Sequence, residues 1–348
     1  MIVEAESRLS ALTHWFMNWA GPSATKPEAL AGDASFRRYF RAEIDKTSVV
    51  LCDSPPQTEK NREFVDVAMH LTAAGLRVPE ILHADLERGF FVLEDLGHTD
   101  LLKRLSRESV SAYYEQASRM LVDLAVARPS SHLSVPYDRA HLQRELGLFS
   151  EWFCRQMLGR DLSGVEQHMV ASLYELLCAR ALAQTQVLVH RDFHSRNLMV
   201  LDDDRLAVID FQDAVLGALT YDPVSLLRDC YVRWADGDVR TWLLEHRARL
   251  QAAQVCVPDE EAFLEDADLM GLQRHLKVLG IFARLYLRDN KSSYLNDLPR
   301  VVGYVRDVAK CQTCEVTIKE FAGWFDDELL PVIRTQPWWN PHLATAPR

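Results

Sequence analysis

The chain has 348 residues, 48% of them hydrophobic and 26% charged, ample for a large buried core and for more than one lobe. Its formal net charge of −11 and the lack of a long basic run argue against nucleic acid as a partner. No positive flank precedes an apolar core at the N-terminus, no apolar run approaches a membrane span, and seven widely spread cysteines suit a reducing compartment; a cytoplasmic protein with no membrane partner is expected.

In chain order, residues 5–19 predict an amphipathic helix, because Leu9, Leu12, Trp15, Phe16 and Trp19 recur at spacings of three and four and Gly21-Pro22 ends the pattern. Leu30–Arg41 and Ser48–Cys52 alternate like strands joined by turns. Phe36-Arg37-Arg38-Tyr39-Phe40-Arg41 interleaves rings and cations, which suits either a strand with solvated arginines or phosphate contact. A helix is expected over Thr58–Ala74, with Thr58 as N-cap and Gly75 just past its end. Strands follow at Val78–Leu82 and Phe90–Leu93, around a turn at Glu87-Arg88-Gly89. Beyond Gly97 the pattern is helical over Arg107–Ala127, Asp138–Leu158 and Val165–Ala183. In residues 270–289, Gln273, Arg274, Lys277, Arg284 and Arg288 fall on one stripe of an otherwise apolar helix. That stripe either lines a pocket for an anionic substrate or snorkels into solvent. Residues 315–335 predict a further packed helix, and Trp338-Trp339-Asn340-Pro341 packs or clamps a lobe edge. Cys311-Gln-Thr-Cys314 is a lone CxxC, read as two thiols at a helix start rather than as a metal or redox site.

Residues 187–213, VLVHRDFHSRNLMVLDDDRLAVIDFQD, carry the chemistry. Val187–Val189, Leu198–Leu201 and Leu206–Ile209 are apolar runs, and the four polar residues between the last two predict a hairpin. In register, Leu201 faces Leu206, Leu198 faces Ile209 and Asn197 faces Asp210, with Cβ atoms ~5 Å apart. An amide oxygen and a carboxylate so placed can share a hard cation such as Mg²⁺. Asp192 lies five residues before Asn197, in the loop entering the hairpin. Phosphoryl transfer needs such a set: a carboxylate for the attacking hydroxyl and two oxygen ligands for the metal on the nucleotide phosphates. The plainer alternative is that Asp192 and Asp210 cap turns.

HRDFHSRN followed by IDFQD resembles the aminoglycoside phosphotransferase/choline kinase family. The resemblance implies an α+β, bilobal protein-kinase-like fold, with a small β-rich N-lobe over 1–96 and a large helical C-lobe over 97–348 that carries the catalytic hairpin. It implies ATP and Mg²⁺, Asp192 as catalytic base, and Asn197 and Asp210 as metal ligands. His190 and Asp222 are implied as structural braces of the catalytic loop, although Asp222 would equally suit a helix N-cap. Gly32, Asp33 and Ser35 fall where a nucleotide-covering loop is expected, though no GxxxxGK[ST] occurs. Glu94 and Leu96 fall at the hinge that meets adenine with backbone groups. The strand VVLC lacks the family's phosphate-binding lysine and has Cys52 near that place, so Lys46, Lys60, Arg37, Arg38 and Arg41 are the replacement cations to consider, and Glu63 the acidic partner. GDASFRRYFR, ELGLFSEWF, IDFQDAVLGALTYDPVSLLRDCY and LKVLGIFARLYLRD look like the bacterial anomeric kinases of cell-wall recycling that act on N-acetylmuramate and N-acetylglucosamine. For such a sugar pocket Glu145, His194 and Asp213 are candidates for hydroxyl or N-acetyl contacts, and Arg228, Arg233, Arg274 and Lys277 for a lactyl carboxylate. A choline-like or aminoglycoside kinase of the same fold, and a nucleotide-binding regulatory module without catalysis, are the alternatives. Oligomeric state is not legible.

Overall fold

The computed structural model describes residues 2–30, 37–129, 133, 135–311 and 315–348, with the backbone alone at 2–5. It divides into two compact units, Met1–Asp100 with Leu198–Gln212, and Leu101–Asn197 with Asp213–Arg348. The fold class is α+β. Among the described residues the strands run β1 (Glu28–Ala29), β2 (Arg38–Ile44), β3 (Thr47–Asp53), β4 (Ile81–Asp85), β5 (Phe90–Glu94), β6 (Gln186–Val189), β7 (Leu198–Val200), β8 (Leu206–Val208) and β9 (Val215–Ala218).

In the first unit an antiparallel sheet of order β1-β2-β3-β5-β4 forms. Period-two alternation turns Phe40, Ala42, Val49, Leu51, Phe90 and Val92 to one face, where they bury Leu12 and Phe16 of helix α1 (Ile2–Ala20). Helix α2 (Asn61–Ala73) sets Phe64 edge-on to Phe91, on the opposite face, at a centroid distance of 5.4 Å. The helix begins after Thr58, which is not its N-cap: the Pro55 carbonyl accepts the N–H groups of Thr58 and Glu59 and holds them in a turn. Strand β4 starts at Ile81 and not at Val78, since Pro79 has no N–H for a ladder. Gly89 turns β4 into β5 with φ +71°, and any side chain there would collide with the Ser54 carbonyl. The end of β3 is pinned by Asp53, fully buried, which accepts from Nε of Arg8 on α1 (2.9 Å) and Nε of Arg38 on β2 (3.1 Å).

The β7–β8 hairpin pairs Leu198 with Val208, Met199 with Ala207 and Val200 with Leu206. This is one residue off the expected register. Leu201 joins the turn, donating its N–H to Arg205 and accepting from Asp204, which sits at φ +59°. A further step outward from Leu198–Val208 therefore does not arrive at a pair of Asn197 and Asp210. Asp210 also leaves strand geometry, at φ +64°.

The second unit is helical: α3 (Leu101–Arg104), α4 (Val110–Val126), α5 (Arg139–Leu148), α6 (Gly164–Ala183), α7 (Tyr221–Leu227), α8 (Asp236–Ala252), α9 (Glu260–Asp289), α10 (Leu298–Cys311), α11 (Val316–Trp324), α12 (Leu330–Arg334) and α13 (Pro341–Thr345). Strands β6 and β9 pair antiparallel within it. Asp138 caps α5 by accepting from His141 N–H, and Ser163 and Glu166 form a capping box on α6. The expected helix at 138–158 holds, but its second half, Phe149–Met157, is a π-helix. Helix α9 is the unit's axis, packing against α5, α6, α7 and α10. At Gly280 its backbone comes so close to α5 that a Cβ would collide with the Leu148 carbonyl. The basic stripe of α9 is not a solvated face over its first half: Gln273, Arg274 and Lys277 are buried, whereas Arg284 is half-buried and Arg288 exposed. Asn340 caps α13. Among the described residues no helix is long and apolar enough to cross a membrane.

Candidate active site

The loop 190–197 follows β6 and is held within the second unit by Asp222, by Asp229 and by bonds of its own. Asp222, in the first turn of α7, accepts the N–H groups of His190 (2.6 Å) and Arg191 (2.9 Å). The cap of that helix is Thr220, so Asp222 bonds the loop instead. The two donors hold Arg191 at φ +76°, a costly conformation for a side-chain-bearing residue. Asp229, fully buried, accepts the N–H groups of Ser195 (2.8 Å) and Tyr231 (2.9 Å). Inside the loop, the Asp192 carbonyl accepts from His194 N–H and from Asn197 Nδ2, each at 3.0 Å, while Asp192 N–H reaches His190 Nδ1 at 3.2 Å.

Burial pushes the Asp192 carboxyl up, but Lys277, His194, Arg191 and Arg274 outweigh it and bring the pKa down to about 2. It is a carboxylate throughout the physiological range. Asp222 goes the other way. Burial dominates its two N–H donors and raises it to about 7. The folded state then binds a proton that the unfolded chain releases near pH 4, so this carboxyl's contribution to stability is full below that pH and is lost as pH rises through 7. The urea midpoint of wild type, relative to Asp222→Asn, is expected to be higher at pH 5 than at pH 8; a difference that does not move with pH would show Asp222 ionised throughout.

Beside Asp192, Glu145 of α5 gathers the charges. It accepts from Arg191 and from the Tyr137 hydroxyl, and Lys277 Nζ lies 3.2 Å from its Oε2 and 3.0 Å from the Tyr221 hydroxyl. Arg274, one turn before Lys277 on α9, donates to Cys230 Sγ at 3.3 Å. Three cations, Arg191, Lys277 and Arg274, thus stand among four carboxyl groups, Asp192, Glu145, Asp222 and Asp229. His194 packs edge-on to Tyr231. The remaining sequence candidates lie elsewhere in their contacts. Arg228 is bonded to Asp268; Arg233 to Asp307 (2.5 Å) and the Ala344 carbonyl (2.7 Å); exposed Asp213 offers its carbonyl to Arg191.

In the first unit, the candidates to replace the missing lysine sort clearly. Lys46 and Lys60 are exposed, Arg38 is tied to Asp53, and Arg41 to Asp95 at 2.6 Å. Arg37 is buried, donates to Ser54 Oγ at 3.1 Å, and pairs with Glu59 at 3.3 Å. Glu63, expected as the acidic partner, is exposed. The Arg37 guanidinium lies over the Phe64 ring, and Phe64 stacks on Phe211, the residue after Asp210, at 5.1 Å. Asp210 accepts from Gln212 Nε2 at 2.8 Å and acts electrostatically on Tyr39, as Arg37 does. Burial pushes the Cys52 thiol up to about 12, so Cys52 supplies no charge there. Glu94 donates its N–H to the Glu80 carbonyl and its side chain accepts from Arg77, and Leu96 is half-buried. Gly32, Asp33 and Ser35 lie outside the described residues, as do Gln312–Cys314.

Asn197, in the second unit, bonds the Asp192 carbonyl through Nδ2, and Asp210, in the first, carries a carboxylate; an amide oxygen and a carboxylate are oxygen donors of the kind a hard cation takes. Among the described residues no three His, Cys, Asp or Glu side chains gather into a metal cage. An all-oxygen set completed by phosphates and water is how Mg²⁺ is usually held.

Sequence reading passed over Arg191, Tyr221 and Asp229. Arg191 sits inside the HRD triplet as a spacer, and Asp229 follows an arginine in RDC with no pattern to set it apart.

A model of the phosphotransferase enzyme family matches residues 26–255. The N-acetylmuramate/N-acetylglucosamine kinase of Pseudomonas putida is 40% identical over 317 residues, covering 88% of this chain and 93% of the relative. The kinases of that name from Pseudomonas aeruginosa and Neisseria meningitidis are 42% and 41% identical, over 79% and 80% of this chain and 81% and 84% of theirs. Among solved structures, choline kinase LicA of Streptococcus pneumoniae superposes with a TM-score of 0.62 at 15% identity, covering 86% of this chain and 98% of its own. The ADP-bound aminoglycoside phosphotransferase APH(2'')-Ib superposes with a TM-score of 0.57 at 15% identity, covering 84% and 96%.

Proposed function

The chain belongs to the phosphotransferase enzyme family, and from that premise we propose that it transfers the γ-phosphoryl group of ATP to the C1 hydroxyl of N-acetylmuramate and N-acetylglucosamine in peptidoglycan recycling. The observation that carries this reading is the ionised Asp192, held by Asp222 and Asn197 in a loop whose surroundings are cationic, in a chain 40% identical to kinases named for those sugars. Asp192 orients the sugar hydroxyl. The bond from sugar oxygen to γ-phosphorus forms, the bond from γ-phosphorus to the β–γ bridging oxygen breaks, the proton passes to Asp192, and ADP leaves with the bridging oxygen. Asn197 and Asp210 would hold Mg²⁺, which when bound would neutralise phosphate charge. Backbone groups at Glu94 and Leu96 meet the adenine edge. Arg37, oriented by Glu59 and Ser54 and stacked over Phe64, supplies the phosphate-facing cation that strand β3 lacks.

An aminoglycoside is a polycation, and the buried cations Lys277, Arg191 and Arg274 around Asp192 disfavour it. The test is ADP release with Mg²⁺ on N-acetylmuramate, N-acetylglucosamine, glucose, choline and kanamycin, with the product examined by phosphorus NMR. Turnover is expected on the two amino sugars, yielding a phosphate coupled to the anomeric proton, and Arg37→Met should raise the KM for ATP about 10- to 100-fold, the worth of one charge-assisted contact. Turnover on choline or kanamycin alone would discard the substrate; ATP binding with no turnover would make the chain a regulatory module.

A further inference from the structure

Arg274 stands apart from the other buried cations of the second unit. Lys277 and Arg191 share Glu145, Arg228 has Asp268, and Arg233 has Asp307. Arg274 is only 3% exposed, yet among the described residues it has no carboxylate within ion-pair distance; its hydrogen bond goes to the Cys230 sulfur. Burial pushes that thiol up, so at neutral pH it is an uncharged acceptor. The nearest carboxylate in electrostatic terms, Asp229, already accepts the two backbone N–H groups of Ser195 and Tyr231. A guanidinium kept from water with no carboxylate at contact distance is costly, and such a group persists where something else supplies the anion. Arg274 is also near enough to Asp192 to help hold it ionised, and it lies three residues before Lys277, on the same helical face.

N-acetylmuramate differs from N-acetylglucosamine by one lactyl ether, which ends in a carboxylate. Resting on the function proposed above, we infer that Arg274 is the specificity-determining residue that receives this carboxylate, with the guanidinium fork gripping both oxygens. Lys277 does not take this part, since its ammonium is already paired with Glu145 and bonded to Tyr221. The neutral sugar leaves Arg274 with its sulfur contact alone.

The experiment compares kcat/KM for N-acetylmuramate, its lactyl carboxamide and N-acetylglucosamine in wild type, Arg274→Met and Arg274→Gln. Wild type is expected to prefer the acid over its carboxamide by about 10- to 100-fold, as a charge-assisted bidentate contact is worth that much, and both variants to lose the preference. The carboxamide keeps the bulk of the lactyl group, so the ratio isolates charge. Arg274→Gln guards against a fold that does not tolerate methionine. Equal losses on all three sugars would assign Arg274 to the transferring phosphoryl group or to structure and overturn the inference, as would an unchanged ratio. Wild type that turns over neither amino sugar would instead remove the functional reading beneath it.

Discussion

Asp192→Asn is expected to lower kcat on N-acetylmuramate by about 10²- to 10⁴-fold, the range a positioned proton acceptor contributes. Asparagine preserves the size of the side chain and leaves the backbone contacts of residue 192 to His194 and Asn197 in place. What disappears is the negative charge that Lys277, Arg191 and Arg274 face. The nucleotide contacts proposed for Arg37, Glu94 and Leu96 are untouched, so ADP affinity measured by calorimetry should be unchanged. The wild-type pH profile makes a sharper demand. With a carboxyl near pKa 2, kcat should show no acidic limb from Asp192 between pH 5 and 8. A limb in that window that vanishes in Asp192→Asn would contradict the electrostatics described here, even if the activity loss were as large as expected.

Asp53→Ala is expected to destabilise the protein by about 3 kcal/mol, the lower end for breaking a buried ion pair, because both partners retain some access to water. Asp53 is fully buried while the Arg8 and Arg38 side chains are 23% and 33% exposed. Its removal leaves two guanidinium groups competing for solvent at the edge of the α1 core. Urea unfolding followed by tryptophan fluorescence would report the loss, since Trp15 and Trp19 stack on His83. Replacing the whole triad with apolar residues, Arg8→Met, Arg38→Met and Asp53→Leu, should recover most of the stability. A single substitution that costs less than about 1 kcal/mol would place this cluster with ordinary surface pairs.

The sequence disclosed the elements better than their joints. Strand and helix identities follow from periodicity, and the spacing His190-x-Asp192-x4-Asn197 was readable because each residue is polar in an apolar setting. The hairpin register was not, because counting the polar residues Asp202–Arg205 as the loop ignores that a turn recruits Leu201 for its backbone rather than its polarity. The π-helix at Phe149–Met157 buries Phe149, Phe153 and Cys154, and the four-residue step from 149 to 153 is one an α-helix also gives, so the apolar pattern does not betray it. Buried charge was the larger blind spot. Arg274 and Lys277 could be read as pocket lining or as a solvated stripe, because periodicity records which residues are charged, not whether a carboxylate such as Glu145 waits on another helix. Asp53, one residue beyond the place of the missing lysine, gave no signal that it would anchor α1.

The close approach of α9 to α5 at Gly280 bears on how this pocket can diverge. Leu148, the residue it nearly touches, lies three positions after Glu145, and Gly280 three positions after Lys277, so one point of backbone contact sets the span of the Glu145–Lys277 pair. The room beside that pair is thereby encoded in a residue with no side chain, about a turn behind the charges. Descendants of this chain can change the polar contacts proposed for the sugar by ordinary point mutation at 145, 274 or 277. Widening the chamber is a different kind of step, because any larger residue at 280 pushes the two helices apart together and carries both charges with them.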